Sequence, residues 1–264
     1  MKAPTNIEFI NQSEKAEFFS WDFGDGKQST DINPKHRYVQ SGRYTVILEA
    51  SNGKKSRQSE RVIEVKPPDE PLVEIQTPHG NMLVKLYDET PKHKANFMKL
   101  ANEHFYDSLL FHRVIQGFMI QGGDPDSKGA PARKQLGGGS PGYQIDAEID
   151  PSLVHVKGAL SAARTGDAVN PEKKSSGSQF YIVQGTPIEE AQLKMMERRK
   201  GIQYSAEQKK AYMEQGGTPF LDKEYTVFGE VVAGKEVIDK IATQETGTSD
   251  RPISDIPMKV IVIK

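Results

Sequence analysis

Phe111-His112-Arg113-Val114-Ile115-Gln116-Gly117-Phe118-Met119-Ile120-Gln121-Gly122-Gly123-Asp124 lies near the middle of a chain of 264 residues. It belongs to a series of short strands separated by glycine-rich loops. Phe118 and Met119 are adjacent, so on a regular strand they point to opposite faces and only one can face a groove.

Upstream lies a hairpin, Val73-Glu74-Ile75 and Met82-Leu83-Val84-Lys85-Leu86, around Thr77-Pro78-His79-Gly80-Asn81. Thr90-Pro91 then opens a helix, with threonine as cap and proline in the first position, and Phe97, Leu100, Ala101 and Phe105 form its apolar stripe. Downstream, Lys235–Thr243 reads as a second helix with Val237, Ile238 and Ile241 inward, and Val260-Ile261-Val262-Ile263 as a closing strand. Many strands with only two long flanking helices suggest a closed β-barrel.

Residues 187–217 differ in character. Thr186-Pro187-Ile188-Glu189 and Ser205-Ala206-Glu207-Gln208 are both capping-box patterns, and Gly201 and Gly216-Gly217 stop the two runs. This predicts a helical hairpin inserted into the barrel. Its roots follow Tyr181 and precede Phe220, which keeps it near whatever those segments build. Arg198, Arg199, Gln203 and Tyr204 are its expected exposed contacts, and Leu193, Met196, Tyr212 and Met213 its expected packing face. Exchanging Ile188–Gln215 for a short linker is expected to spare turnover of short peptides.

The clearest seam is Lys66-Pro67-Pro68-Asp69-Glu70-Pro71, whose prolines forbid a regular helix or central strand. Residues 1–66 therefore read as one domain, 67–71 as a linker and 72–264 as a second domain. Before the seam, Tyr44, Val46 and Leu48 alternate with Thr45, Ile47 and Glu49, and Arg61-Val62-Ile63-Glu64-Val65 follows Asn52-Gly53, as in a small all-β unit.

Composition narrows the function. Lys+Arg total 35 against Asp+Glu 36, a formal net charge of −1, which lacks the positive field of a non-specific nucleic-acid binder. With 36% hydrophobic and 27% charged residues, no uninterrupted apolar run approaches a membrane span. The absence of cysteine excludes disulfides, thiolate nucleophiles and Cys-type metal sites. The six histidines show no paired ligand spacing, so no metal is expected. Gly137-Gly138-Gly139-Ser140 lacks the ending of a phosphate loop and reads as a barrel loop. Asp22 and Asp25 fit turns better than a calcium loop.

The Phe111–Asp124 stretch resembles the signature of the cyclophilin family of peptidyl-prolyl cis-trans isomerases. Gly158–Arg164, Gly177–Ile182, Phe220-Leu221-Asp222 and Val227–Val231 support the resemblance in the family's order, over about residues 72–264. Trp21-Asp22-Phe23-Gly24-Asp25-Gly26, His36-Arg37-Tyr38 and Gly42–Val46 resemble the PKD module, an immunoglobulin-like β-sandwich found mostly outside cells. The usual first strand of that module has little room before Ile7. Together the resemblances imply a mostly β protein: an N-terminal immunoglobulin-like sandwich, then a closed eight-stranded antiparallel barrel with two capping helices and the inserted hairpin.

The implied activity is isomerisation of X–Pro bonds in peptides and folding proteins, without a cofactor. Non-catalytic binding of proline segments, or adhesion at the cell envelope, is the alternative. Amide resonance imposes a barrier of about 18–20 kcal/mol, and a cation bonding to the prolyl nitrogen as it pyramidalises weakens that resonance. By resemblance, Arg113 has this role. Phe118, Met119, Tyr181 and Leu221 supply the apolar slot, and Gln121, Gln179 and the backbone around Ala163 hold the substrate. Phe220 stands where cyclosporin-sensitive members carry tryptophan, Tyr225 where many carry histidine, and Tyr181 where phenylalanine is commoner, so activity and only weak cyclosporin binding are expected. The company PKD modules keep implies export to the periplasm or cell surface.

Overall fold

A computed structural model describes residues 1–132 and 134–264. The chain divides into two compact units, residues 1–72 with Ile263–Lys264, and Val73–Val262. Among the described residues, no helix is long and apolar enough to cross a membrane.

The first unit is all β. Strand β1 (Thr5–Glu8) pairs with β4 (Lys35–Tyr38), while β2 (Phe18–Asp22), β3 (Gln28–Ser29), β5 (Gly42–Ser51) and β6 (Ser56–Val65) form a sheet in the order β3-β2-β5-β6. An opening strand is thus present despite the short run before Ile7. An aromatic ladder holds the unit: Phe9 against Trp21 and Phe23, Phe23 stacked on His36 at 4.0 Å, and His36 against Tyr38. Asp25 serves its turn, accepting from Lys27 N–H and pairing with His36 at 2.9 Å.

The second unit contains a closed barrel in the order β10-β14-β12-β15-β8-β7-β16-β9. Its strands are β7 (Leu72–Thr77), β8 (Gly80–Leu86), β9 (Leu109–Ile115), β10 (Met119–Gly122), β12 (Ala159–Ala162), β14 (Phe180–Val183), β15 (Val227–Ala233) and β16 (Pro257–Ile263). A short pair outside it joins β11 (Gln144–Ile145) to β13 (Ser175–Ser176). Ile75, Val84, Ile120, Leu160 and Ile182 are fully buried inside the barrel. Each such side chain contributes about 1.5–3 kcal/mol on leaving water.

Helix α1 (Pro91–Asn102) buries Phe97, Leu100 and Ala101 of its predicted stripe, while Phe105 lies in the turn beyond the helix end and is partly buried. Its cap differs from expectation. The Thr90 side chain makes no capping bond, and the first-turn donors Lys92 N–H and His93 N–H instead reach the Glu148 carboxylate, each at 3.0 Å. Glu148 also takes His93 Nδ1 at 2.7 Å. Burial opposes the ionised carboxyl, yet these bonds hold it below the usual range. An acid at a helix N-terminus can meet several open donors at once, where a threonine meets one.

The insertion is a helical hairpin, α2 (Glu190–Lys200) and α3 (Ala206–Glu214). Ser205 and Gln208 form the expected capping box, but α2 starts later than Thr186 suggested, with Glu189 and Gln192 as its reciprocal pair. Gly201 ends α2 in the left-handed conformation, φ 60°, where a side chain would be strained. Helix α4 (Lys235–Ala242) buries Val237, Ile238 and Ile241.

Candidate active site

Strands β9 and β10 pair so that Arg113 lies opposite Gln121. Between them the chain turns at residues 116–118, where Phe118 N–H donates to Ile115 O at 3.0 Å and Gly117 has φ 76°. Phe118 is therefore in the turn, and only Met119 is on the strand. Strand alternation does not separate them, and both line one pocket.

That pocket, about 170 Å³, is walled by Phe118, Met119, Ala163, Tyr181, Leu221 and Tyr225, with Arg113, Gln121 and Arg164 as its polar members. Tyr181 comes from β14, paired to β10 with Gln121 opposite it. Leu221 ends a short 3-10 turn, Pro219–Leu221. The Tyr181 and Tyr225 rings meet edge to face at 5.8 Å. Burial pushes the Tyr181 hydroxyl well above the ordinary tyrosine range, so it stays protonated.

Two expected residues stand elsewhere. Gln179 does not line the pocket: it accepts from Gln121 Nε2 at 3.2 Å and donates to Gly137 O and Gly139 O at 3.0 and 2.8 Å. Its amide ties the glycine loop behind Gln121. Phe220 is 48% exposed and lies on the rim, its ring 5.6 Å from that of Phe118.

The Arg113 guanidinium meets Asp250, with Nε 3.4 Å from Oδ2. Its terminal nitrogens make no hydrogen bond or ion pair with the described residues and remain at the pocket edge. Asp250 and Ser249 both adopt left-handed conformations, φ 58° and 61°. For a non-glycine residue this costs roughly 1–2 kcal/mol. A wider cleft of about 1090 Å³ runs along the far side of Arg113, between residues 134–138 and 247–253. His112 lines it, buried, and burial lowers its pKa, so the ring is neutral near pH 7.

Asp250→Gly removes both the strain and the carboxylate. Its expected result is an unchanged or raised Tm, with kcat/KM lower by about two- to fivefold, the scale of a half-exposed ion pair. Parallel calorimetry and kinetics check it.

Sequence reasoning missed Asp250, because nothing local marks it: its partner is 137 residues away. Arg164 was named only as the end of the Gly158–Arg164 block, with no role for its side chain. The Arg164 side chain is 4% exposed. It lies 4.5 Å over the Tyr225 ring and donates to Glu224 O and to Asp167 at 2.9 and 2.6 Å. This bracing holds Tyr225 in the wall. The histidine and acid behind Tyr181, His155 and Asp222, were missed as well.

Residues 72–262 match the model of the cyclophilin type peptidyl-prolyl cis-trans isomerases, and residues 2–67 that of the PKD domain. A putative bifunctional phosphatase/peptidyl-prolyl cis-trans isomerase of Streptococcus pyogenes is 42% identical over 197 residues, 73% of this chain. This chain spans only 38% of that relative's length. A putative peptidyl-prolyl cis-trans isomerase of Staphylococcus haemolyticus is 35% identical over 193 residues, covering 73% of this chain and 90% of the relative. Among solved structures, a cyclophilin-type isomerase of Cryptosporidium parvum superposes with TM-score 0.54 at 28% identity, over 74% of this chain and 98% of that one. A second structure of that protein was determined in the presence of the dipeptide Ala-Pro, with TM-score 0.51 at 27% identity, over 73% of this chain and 99% of that one.

Proposed function

This chain belongs to the cyclophilin-type peptidyl-prolyl cis-trans isomerases, and we propose that it turns over proline-containing segments of folding proteins at the Arg113 pocket. The carrying observation is a permanent cation with uncommitted terminal donors at the mouth of an apolar slot. The proline ring enters among Phe118, Met119, Tyr181 and Leu221. Arg113 donates to the prolyl nitrogen as it loses planarity, so the bond strengthens toward the twisted state and catalysis follows. Gln121 and the Ala163 backbone hold the flanking peptide, with Gln179 fixing Gln121. The exposed Phe220 ring and Tyr225 extend the wall toward residues next to proline. No cofactor enters this scheme. Protease-coupled isomerisation of a proline tetrapeptide tests it: a rate no higher than the uncatalysed one would refute it.

Cyclosporin is expected to bind weakly, because recognition in the family draws on an indole N–H that the Phe220 ring cannot offer. Phe220→Trp should tighten binding by about fivefold, one net hydrogen bond. Unchanged affinity by titration calorimetry would move control to Tyr225. We also assign the protein to the periplasm or cell surface, on the strength of its PKD match; finding it in the cytosolic fraction alone would overturn that.

A further inference from the structure

Asp222 directly follows Leu221, a wall of the pocket, and is 2% exposed. A carboxylate so enclosed needs donors on each oxygen. His155 supplies two to Oδ1, from its backbone N–H at 2.9 Å and from Nδ1 at 2.8 Å. The other two are hydroxyls of the inserted hairpin: Tyr204 and Tyr212 donate to Oδ2 at 2.6 and 2.7 Å. Lys200, at the end of α2, donates to the Asp222 carbonyl at 2.7 Å. Burial, then the charge of Asp222, push both tyrosine hydroxyls far above their usual range, so they remain donors.

The chain of contacts continues inward. With Nδ1 turned to the carboxylate, the other ring nitrogen of His155, Nε2, faces inward. That atom lies 3.0 Å from the Tyr181 hydroxyl. The His155 and Tyr181 rings lie nearly parallel, at 12°. The hairpin also packs on the segment that carries His155: Leu193, Tyr204 and Tyr212 enclose Val154 and Val156. One hydrogen-bonded path therefore runs from α2 and α3 to the slot.

We propose that the hairpin is part of the catalytic unit, with Tyr204, Tyr212, Asp222 and His155 acting as positioning residues that set the Tyr181 ring for the substrate proline. This rests on the isomerase reading of the pocket. It reverses the expectation that short peptides are turned over independently of the insertion. It also accounts for Tyr204, expected on the surface but 4% exposed.

A double-mutant cycle between Tyr204→Phe and Tyr181→Phe tests it, with Tyr212→Phe as an independent second arm. Each replacement keeps its ring and deletes only a hydroxyl. On a proline tetrapeptide, each single variant is expected to lose about three- to tenfold in kcat/KM, chiefly through KM. Once Tyr181 lacks its hydroxyl, the hairpin variants should cost nothing further, because the path is already cut. A purely structural hairpin gives another pattern: Tm falls with kcat/KM unchanged, or losses in kcat/KM multiply in the double variants. Either result overturns the proposal. Absence of turnover in the wild type in the same assay would instead overturn the isomerase reading, so the two failures are distinguishable.

Discussion

Arg113→Ala is expected to lose about 10²- to 10³-fold in kcat/KM while keeping its fold, the scale for removing one donor whose bond strengthens in the transition state. A barrier near 19 kcal/mol leaves X–Pro bonds exchanging over tens of seconds, and roughly 3–4 kcal/mol of selective stabilisation by Arg113 accounts for such a loss. Peptide affinity should change much less, since the slot of Phe118, Met119 and Leu221 is untouched. Arg113 is partly exposed and, among the described residues, its ion pair is with Asp250, so little stability depends on it. Near-normal kcat/KM in this variant would remove Arg113 from the mechanism.

The largest stability loss is expected at Asp222. Asp222→Ala leaves two buried tyrosine hydroxyls, the His155 ring and a buried backbone N–H without their acceptor. Breaking such an enclosed polar cluster costs about 3–5 kcal/mol. For a unit of this size that lowers Tm by about 6–20 °C. Scanning calorimetry reads it directly, and a shift within 2 °C or so of the wild type would mean that the cluster relaxes around the missing carboxylate. Asp222→Asn should fall between, because it keeps the shape and one acceptor but turns an N–H₂ toward the donors.

How far the sequence reached depended on the range of the interaction. The stripe of α1, the inward face of α4 and the capping box at Ser205 are set by spacings of three and four residues, and all appear in the fold. The slot residues were legible because the Phe111–Asp124 and Gly177–Ile182 stretches resemble family blocks. Contacts across the chain left no local trace. Glu148 takes the capping task from Thr90 across 56 residues of separation to Lys92, and Asp222 meets His155 across 67. Tyr204 was misplaced for the same reason: the composition of a helical hairpin does not say that a hydroxyl will find a buried carboxylate. The alternation of Phe118 and Met119 expected of a regular strand does not arise, because the strand does not extend into the turn that holds Phe118.

Two-dimensional NMR exchange on an Ala-Pro-containing peptide, with the protein far below stoichiometric, tests the account most directly. Without catalysis the cis and trans resonances exchange over tens of seconds, too slowly for cross-peaks within a mixing time of about half a second. Strong cis–trans cross-peaks are expected with the wild type, and their disappearance with Arg113→Ala. Peptide binding in a separate titration at near-stoichiometric protein, showing that the groove is filled, without exchange cross-peaks would contradict the account.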